Sequence, residues 1–188
     1  MKTLATYIIE KLKITKDNII THKKYNYHPK TKEELQDLLK QLIEERGNDG
    51  DFNDIDVSNI TDMSNLFFEI NKFKFNGDIS NWNVSGVTNM QLMFFNCIFN
   101  GDISNWNVSE VIDMSGMFYY SKFTGENGDI SNWDVSNVTN IESMFEKTDF
   151  NLDISKWKLN NNCKTKDIFK NCPLKNQSEK WPQNYKRN

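Results

Sequence analysis

The side chains best suited to chemistry are few and badly spaced for it. His22 and His28 are the only histidines, and Cys97, Cys163 and Cys172 the only thiols. An imidazole beside a thiol or hydroxyl could run acyl transfer, and imidazoles with thiols could hold zinc. No G-x-S-x-G, H-E-x-x-H, phosphate-binding loop or dinucleotide fingerprint is present. The close ligand pairs of structural zinc are also missing. The expectation is a chain with no catalytic residue, no cofactor and no metal site. An odd number of thiols without close pairing reads as reduced.

Two recurring residue types keep other chemistry open. Asp51, Asp78, Asp102, Asp129 and Asp153 follow one another at spacings of 27, 24, 27 and 24. Stacked carboxylates repel unless calcium or backbone N–H groups neutralise them. Turn capping by each aspartate is the better reading, because no Gly-Gly-x-Gly-x-Asp pattern accompanies them. Calcium stays as the alternative. Trp82, Trp106, Trp133 and Trp157 recur in the same way. Exposed rings would make a carbohydrate platform, whereas inward rings would be core, each contributing on the order of 2–3 kcal/mol. Their place in the pattern favours core.

That pattern is the element that must position everything else. The run Asp78-Ile-Ser-Asn-Trp-Asn-Val-Ser returns from Asp102, and from Asp129 with one Asn replaced by Asp. A fixed period of this size signals a stacked-repeat solenoid. Val57, Val84, Val108, Val135 and Leu159 share a column, and Leu66, Met93, Met117, Met144 and Ile168 share another, each followed by Phe. Ile79-x-x-Trp82-x-Val84-x-x-Val87 fits the leucine-rich template, and Trp82/Val84 alternation predicts a short strand. Val87, Met90, Met93 and Phe94 follow helical spacing. Gly77, Gly101 and Gly128 precede the aspartates, where a turn can use positive φ. The expected fold is α/β: a leucine-rich-repeat-like solenoid of about five coils with an N-terminal α-helical cap. Each coil would be a short parallel strand plus a short helix or 3₁₀ turn.

The N-W-[ND]-V-S, V-T-N-M and M-F elements resemble the BspA-like leucine-rich repeats of bacterial surface proteins, over about residues 50–170. The resemblance implies a curved, parallel-stranded solenoid used for adhesion or protein binding. Residues 1–49 then read as a helical cap and residues 171–188 as a basic cap or tail. Thr31 with Glu34 forms a capping box, and Leu35, Leu38, Leu39, Leu42 and Ile43 place a helix over 31–46, ended near Gly47. A weaker helix is expected over 3–13 and an extended segment over 18–27.

Charge and surface positions point to a partner. The net charge of −3 divides into +2 over residues 1–50, −12 over 51–155 and +7 over 156–188. An acidic body disfavours nucleic acid and favours a basic protein. Direct nucleic-acid contact is confined to the basic tail, where Trp181 and Tyr185 could stack on single strands. The outward positions of the coils are Asp54/Asp56, Asn81/Asn83, Asn105/Asn107, Asn132/Asp134 and Lys156/Lys158. They are the candidate partner-binding residues, weighed against an Asn/Ser ladder that only stabilises stacking. No apolar stretch approaches the roughly 20 residues of a membrane helix, and no signal peptide is visible. Expected is a cytoplasmic, non-enzymatic protein–protein interaction module. Its sharper form is a phage or mobile-element inhibitor occupying a basic nucleic-acid-binding surface of a host defence enzyme. The alternative is a bacterial cell-surface adhesin or host-interaction protein.

Overall fold

The computed structural model describes residues 25–68, 70 and 74–185. The weaker expected helix over 3–13 and most of the extended segment over 18–27 lie outside them. Helix α1, Lys32–Arg46, forms where the leucine spacing places it. Thr31 caps it by accepting from the Glu34 N–H at 3.2 Å, and Glu34 accepts in turn from the Lys30 N–H at 2.7 Å. Gly47 ends it at φ 79° with its N–H on the Ile43 carbonyl. Leu35, Leu39, Leu42 and Ile43 are buried.

Past α1 the expected α/β class does not hold. Among the described residues there is one α-helix, two 3₁₀ helices near the C-terminus and no sheet, only isolated parallel bridges. Each repeat, from one aspartate to the next, is instead a rung built of consecutive turns. Inter-rung pairing occurs at single positions, as in the bridge series Asp62–Asn89–Asp113–Asn140–Lys164. The backbone bends too often for two adjacent bridges to form, so no strand is defined.

The segment read as helical shows why. From Met90 to Cys97, alternate N–H groups leave the rung: those of Met90, Leu92, Phe94 and Asn96 donate to the Asp113, Ser115, Met117 and Tyr119 carbonyls. The intervening Met93, Phe95 and Cys97 N–H groups close local turns on Met90, Leu92 and Phe94. Leu92 and Asn96 sit at φ 53° and 51°, in the left-handed region that breaks an α-helix. A three-residue apolar spacing is common to a helix and to such a chain of turns. Asn65, Gly116, Ser143 and Asp167 repeat the Leu92 conformation, and Tyr120, Lys147 and Asn171 repeat that of Asn96.

The interior is a column of rings. Phe67, Phe94, Phe118, Phe145 and Phe169 stack at centroid separations of 5.0, 5.5, 5.8 and 6.3 Å with planes within 7°. Phe75, Phe99, Phe123 and Phe150 each lie 4.0–4.5 Å from the Phe of their own rung. The glycines before the aspartates serve this crowding rather than positive φ. A Cβ on Gly128 would meet Asp102 Cα at 2.9 Å and the Ile103 nitrogen at 3.0 Å, and one on Gly77 would run into the Phe52 ring. Their φ values are ordinary; the left-handed glycines are Gly47, Gly116 and Gly125.

Both ends of the column are covered. Lys32 Nζ reaches Asp62 and the Ser64 hydroxyl at 3.0 Å, and Gln36 donates to the Leu66 carbonyl, which seats α1 on the first rung. At the other end Trp181 stacks on Phe169 at 5.6 Å and donates its indole N–H to the Leu174 carbonyl. Tyr185 packs edge-on against Phe169, and Asn184 bonds both backbone groups of Leu159. The two aromatics of the basic tail thus have packing partners inside the molecule.

Candidate interaction surfaces

Three side-chain series cap the turns of the first four rungs, and the first of them continues into the fifth. Asp51, Asp78, Asp102, Asp129 and Asp153 each accept from the backbone N–H two residues ahead, at 2.8–2.9 Å. Asp56, Asn83, Asn107 and Asp134 repeat this five residues on, and Asp62, Asn89, Asp113 and Asn140 repeat it again six residues later. The first aspartate column therefore has backbone partners of its own. Among the described residues no cluster of three His, Cys, Asp or Glu is placed to hold a metal ion. Only the first of the three series reads as turn capping in sequence; Asp56, Asn83, Asn107 and Asp134 read there as outward partner-binding positions, and the third series mixes Asp with Asn.

The four recurring tryptophans, Trp82, Trp106, Trp133 and Trp157, are interior and hold neighbouring rungs together. Each is 2–4% exposed. Their indole N–H groups donate to the preceding rung, onto the carbonyls of Phe52, Ile79, Ile103 and Ile130 at 3.0–3.2 Å. The first rung carries Ile55 in this column, and its neighbour is Tyr27, to which it is joined by a parallel bridge.

The ten candidate partner-binding residues divide into two groups. Asn81, Asn83, Asn105, Asn107, Asn132, Asp134, Lys156 and Lys158 are exposed, each flanked by buried Ile, Trp, Val or Leu. Asp54 and Asp56 are half-buried under the N-terminal segment. Asp54 takes both terminal nitrogens of Arg46 at 2.7 and 3.1 Å and the Asn26 amide at 2.7 Å. The Arg46 guanidinium holds the Asp54 carboxyl below its ordinary value of 3.8. Asp56 lies 3.3 Å from His28 Nδ1 and accepts from the Ser58 N–H. These two carboxylates have internal work, and the first rung is not part of the open ladder. The His28 reading changes accordingly: it joins a segment of chain to rung one.

Side chains beside the ladder tie rungs together, as Asn137 does by donating to the Ser109 carbonyl at 2.8 Å and Thr139 to the Ile112 carbonyl at 3.2 Å, but the outward residues of the third and fourth rungs do not. Asn83 and Asn107 turn Oδ1 to their own Ser85 and Ser109 N–H groups. Asn105 and Asn132 form no hydrogen bond with the neighbouring rung. At the far end Asp134 is held below the ordinary carboxylate range by the Ser136 hydroxyl and N–H, with the Lys158 ammonium adding to it. The face thus grades from amides, through one carboxylate, to Lys156 and Lys158.

A second surface was missed in sequence. Phe68, Phe95 and Tyr119 follow the interior Phe column by one residue and stack outside it, at 5.1 and 5.3 Å. Tyr120 meets Tyr119 edge-on at 6.2 Å, and the Lys147 ammonium lies 5.6 Å from one ring and 5.2 Å from the other. Phe68, Ile98 and Tyr120 are 40%, 41% and 55% exposed. Beside them runs a groove of about 510 Å³ whose walls include Ile98, Tyr120, Lys122, Lys147 and Asp149. The signal was the doubled aromatic, Phe-Phe, Phe-Phe and Phe-Tyr-Tyr, of which only the first member was read.

Among the described residues no helix is long and apolar enough to cross a membrane. No curated protein and no solved structure matches the chain. One family description matches twice, over residues 35–126 and 99–181, running past both borders of the 50–170 repeat region. Together these spans cover most of the chain, and the protein belongs to the family described as "Mycoplasma protein of unknown function, DUF285".

Proposed function

We propose that the protein is a non-enzymatic protein-binding module, kin to BspA-like repeat proteins, whose open polar ladder engages a partner with a basic surface. The observation that supports this is the ladder itself. Asn105, Asn107, Asn132 and Asp134 are exposed in adjacent rungs and make no bond across to one another's rung. An amide ladder serving only to hold a stack would be expected to bond along it. The −12 charge of residues 51–155 supplies the attraction for a basic partner.

The test is affinity capture from source and candidate host cells with three baits: the native chain, N105A/N107A/N132A/D134A, and K156E/K158E. A partner engaging the ladder is retained by the native chain, lost from the quadruple variant and released as salt rises. Asp54 and Asp56 are left intact, since their loss would disturb the docked N-terminal segment. If every captured protein binds the native chain and the quadruple variant alike, the ladder is not the binding face.

A further inference from the structure

We propose a second docking site, separate from the polar ladder: the groove beside the aromatic stripe takes an acidic peptide segment that carries an aromatic or aliphatic anchor.

Charge is the first argument. Residues 51–155 hold sixteen carboxylates and four lysines. Two of those four, Lys122 and Lys147, line this one groove, with Asp149 its single carboxylate. Neither lysine has an ion-pair partner among the described residues, whereas Lys170 in the next rung is paired with Glu146 and Asp167. A cationic spot on an acidic body attracts a carboxylate-bearing ligand and repels a basic one, the reverse of what the ladder selects.

The second argument is apolar. Tyr120 and Ile98 are among the most exposed large hydrophobic residues of the molecule, and both flank the groove. A groove of about 510 Å³ is within the range that holds a side-chain-sized anchor with room for the flanking backbone. Lys147, lying by the two tyrosine rings, puts an ammonium next to the apolar wall.

Backbone conformation is the third. Asn96, Tyr120, Lys147 and Asn171 occupy one position in successive rungs, all at positive φ and all lining the groove. Asparagine tolerates that conformation; tyrosine and lysine do so at a cost. The two rungs that depart from asparagine are the two that supply the groove's ring and its ammonium. The repeating rung backbone imposes that conformation at each of these positions, and it thereby fixes where the Tyr120 ring and the Lys147 ammonium project into the groove.

The experiment uses the full chain and a fluorescein-labelled peptide with Glu and Asp residues around one Phe and one Leu, read by fluorescence anisotropy. Oligoglutamate and the same peptide with Lys for each acidic residue are the comparisons. The proposal expects saturable binding of the acidic, anchored peptide alone. K122E/K147E should weaken it roughly tenfold, as expected of two lost surface ion pairs. Tyr120→Asn should weaken it too while raising the melting temperature, because asparagine relieves the left-handed strain. N105A/N107A should leave it unchanged. The proposal is overturned if the peptide does not saturate, if the Lys peptide or oligoglutamate binds as well, or if K122E/K147E and Tyr120→Asn bind like the native chain. It is also overturned if sedimentation shows a dimer that Tyr120→Asn dissolves, since the occupant would then be a second copy.

Discussion

Trp106 makes two separable contributions, an indole N–H on the Ile79 carbonyl and a ring in the core. Trp106→Phe removes the first and part of the second. The Ile79 carbonyl keeps the Trp82 N–H as a partner, so no acceptor is orphaned. The expected loss is about 2–3 kcal/mol, one hydrogen bond plus a partial cavity, read as a shift in urea midpoint without a change in slope. The converse substitution is equally informative. Ile55 is fully buried in the tryptophan column, and Ile55→Trp should destabilise by about 1–3 kcal/mol through overpacking. If tryptophan were favoured there for itself, the change would stabilise. The glycines give a matched pair. Gly128→Ala drives a Cβ against the Asp102 and Ile103 backbone and should cost about 1–3 kcal/mol. Gly86→Ala meets nothing nearer than the Ser58 carbonyl at 3.6 Å and should stay within about 0.5 kcal/mol of native. The sequence marked Gly128 as special, yet the reason was a close approach of the adjoining rung, which no local pattern shows.

Helix α1 and the turn-built rungs differ in how openly their sequences declare them. Leu35, Leu39, Leu42 and Ile43, with Thr31 before and Gly47 after, carry three agreeing signals. Met90, Met93 and Phe94 carry only spacing, and Leu92, left-handed in the middle of that stretch, breaks the helix. A single left-handed residue outweighs a run of apolar spacing, because it redirects the next N–H out of the segment. How α1 seats is a matter of charge as well as shape. Asp54 is held below its ordinary value of 3.8 by the Arg46 hydrogen bonds, with the Asn26 amide adding to them. A depressed carboxyl stabilises the fold above its ordinary value and loses that contribution as pH falls through the lower, folded one. Asp54→Asn should therefore cost about 1–2 kcal/mol near neutral pH, where the ion pair is intact. The gap between native and D54N should stay level down to about 4 and close below it, in urea titrations run across a pH series. A gap that widened on acidification would mean the carboxylate is not the group being held.

At the scale of the whole molecule, stability depends on closing a ring column that has no natural end. Each rung touches only its neighbours, so the last one, bearing Phe169, would face water without a cover. Trp181 provides it at 5.6 Å, with Tyr185 edge-on beside both rings. The basic C-terminal segment was readable in sequence as either a cap or a tail that stacks on nucleic acid. Composition alone could not decide, since aromatics with lysines suit both uses. The ring contacts supply an internal role for Trp181, and that role is measurable. Trp181→Ala uncovers Phe169 and leaves the Leu174 carbonyl without the indole N–H. The expected loss is about 2–3 kcal/mol, less than for a fully buried tryptophan because this one is half-buried. For a chain of this length that corresponds to a melting temperature lower by roughly 4–12 °C. An uncovered column end also offers a template for a second molecule, so light scattering should rise with concentration. Trp181→Phe, which keeps a ring on Phe169, should recover most of the melting temperature and abolish the scattering. Equal melting temperatures and monodisperse samples for both variants would mean the last rung stands without its cover.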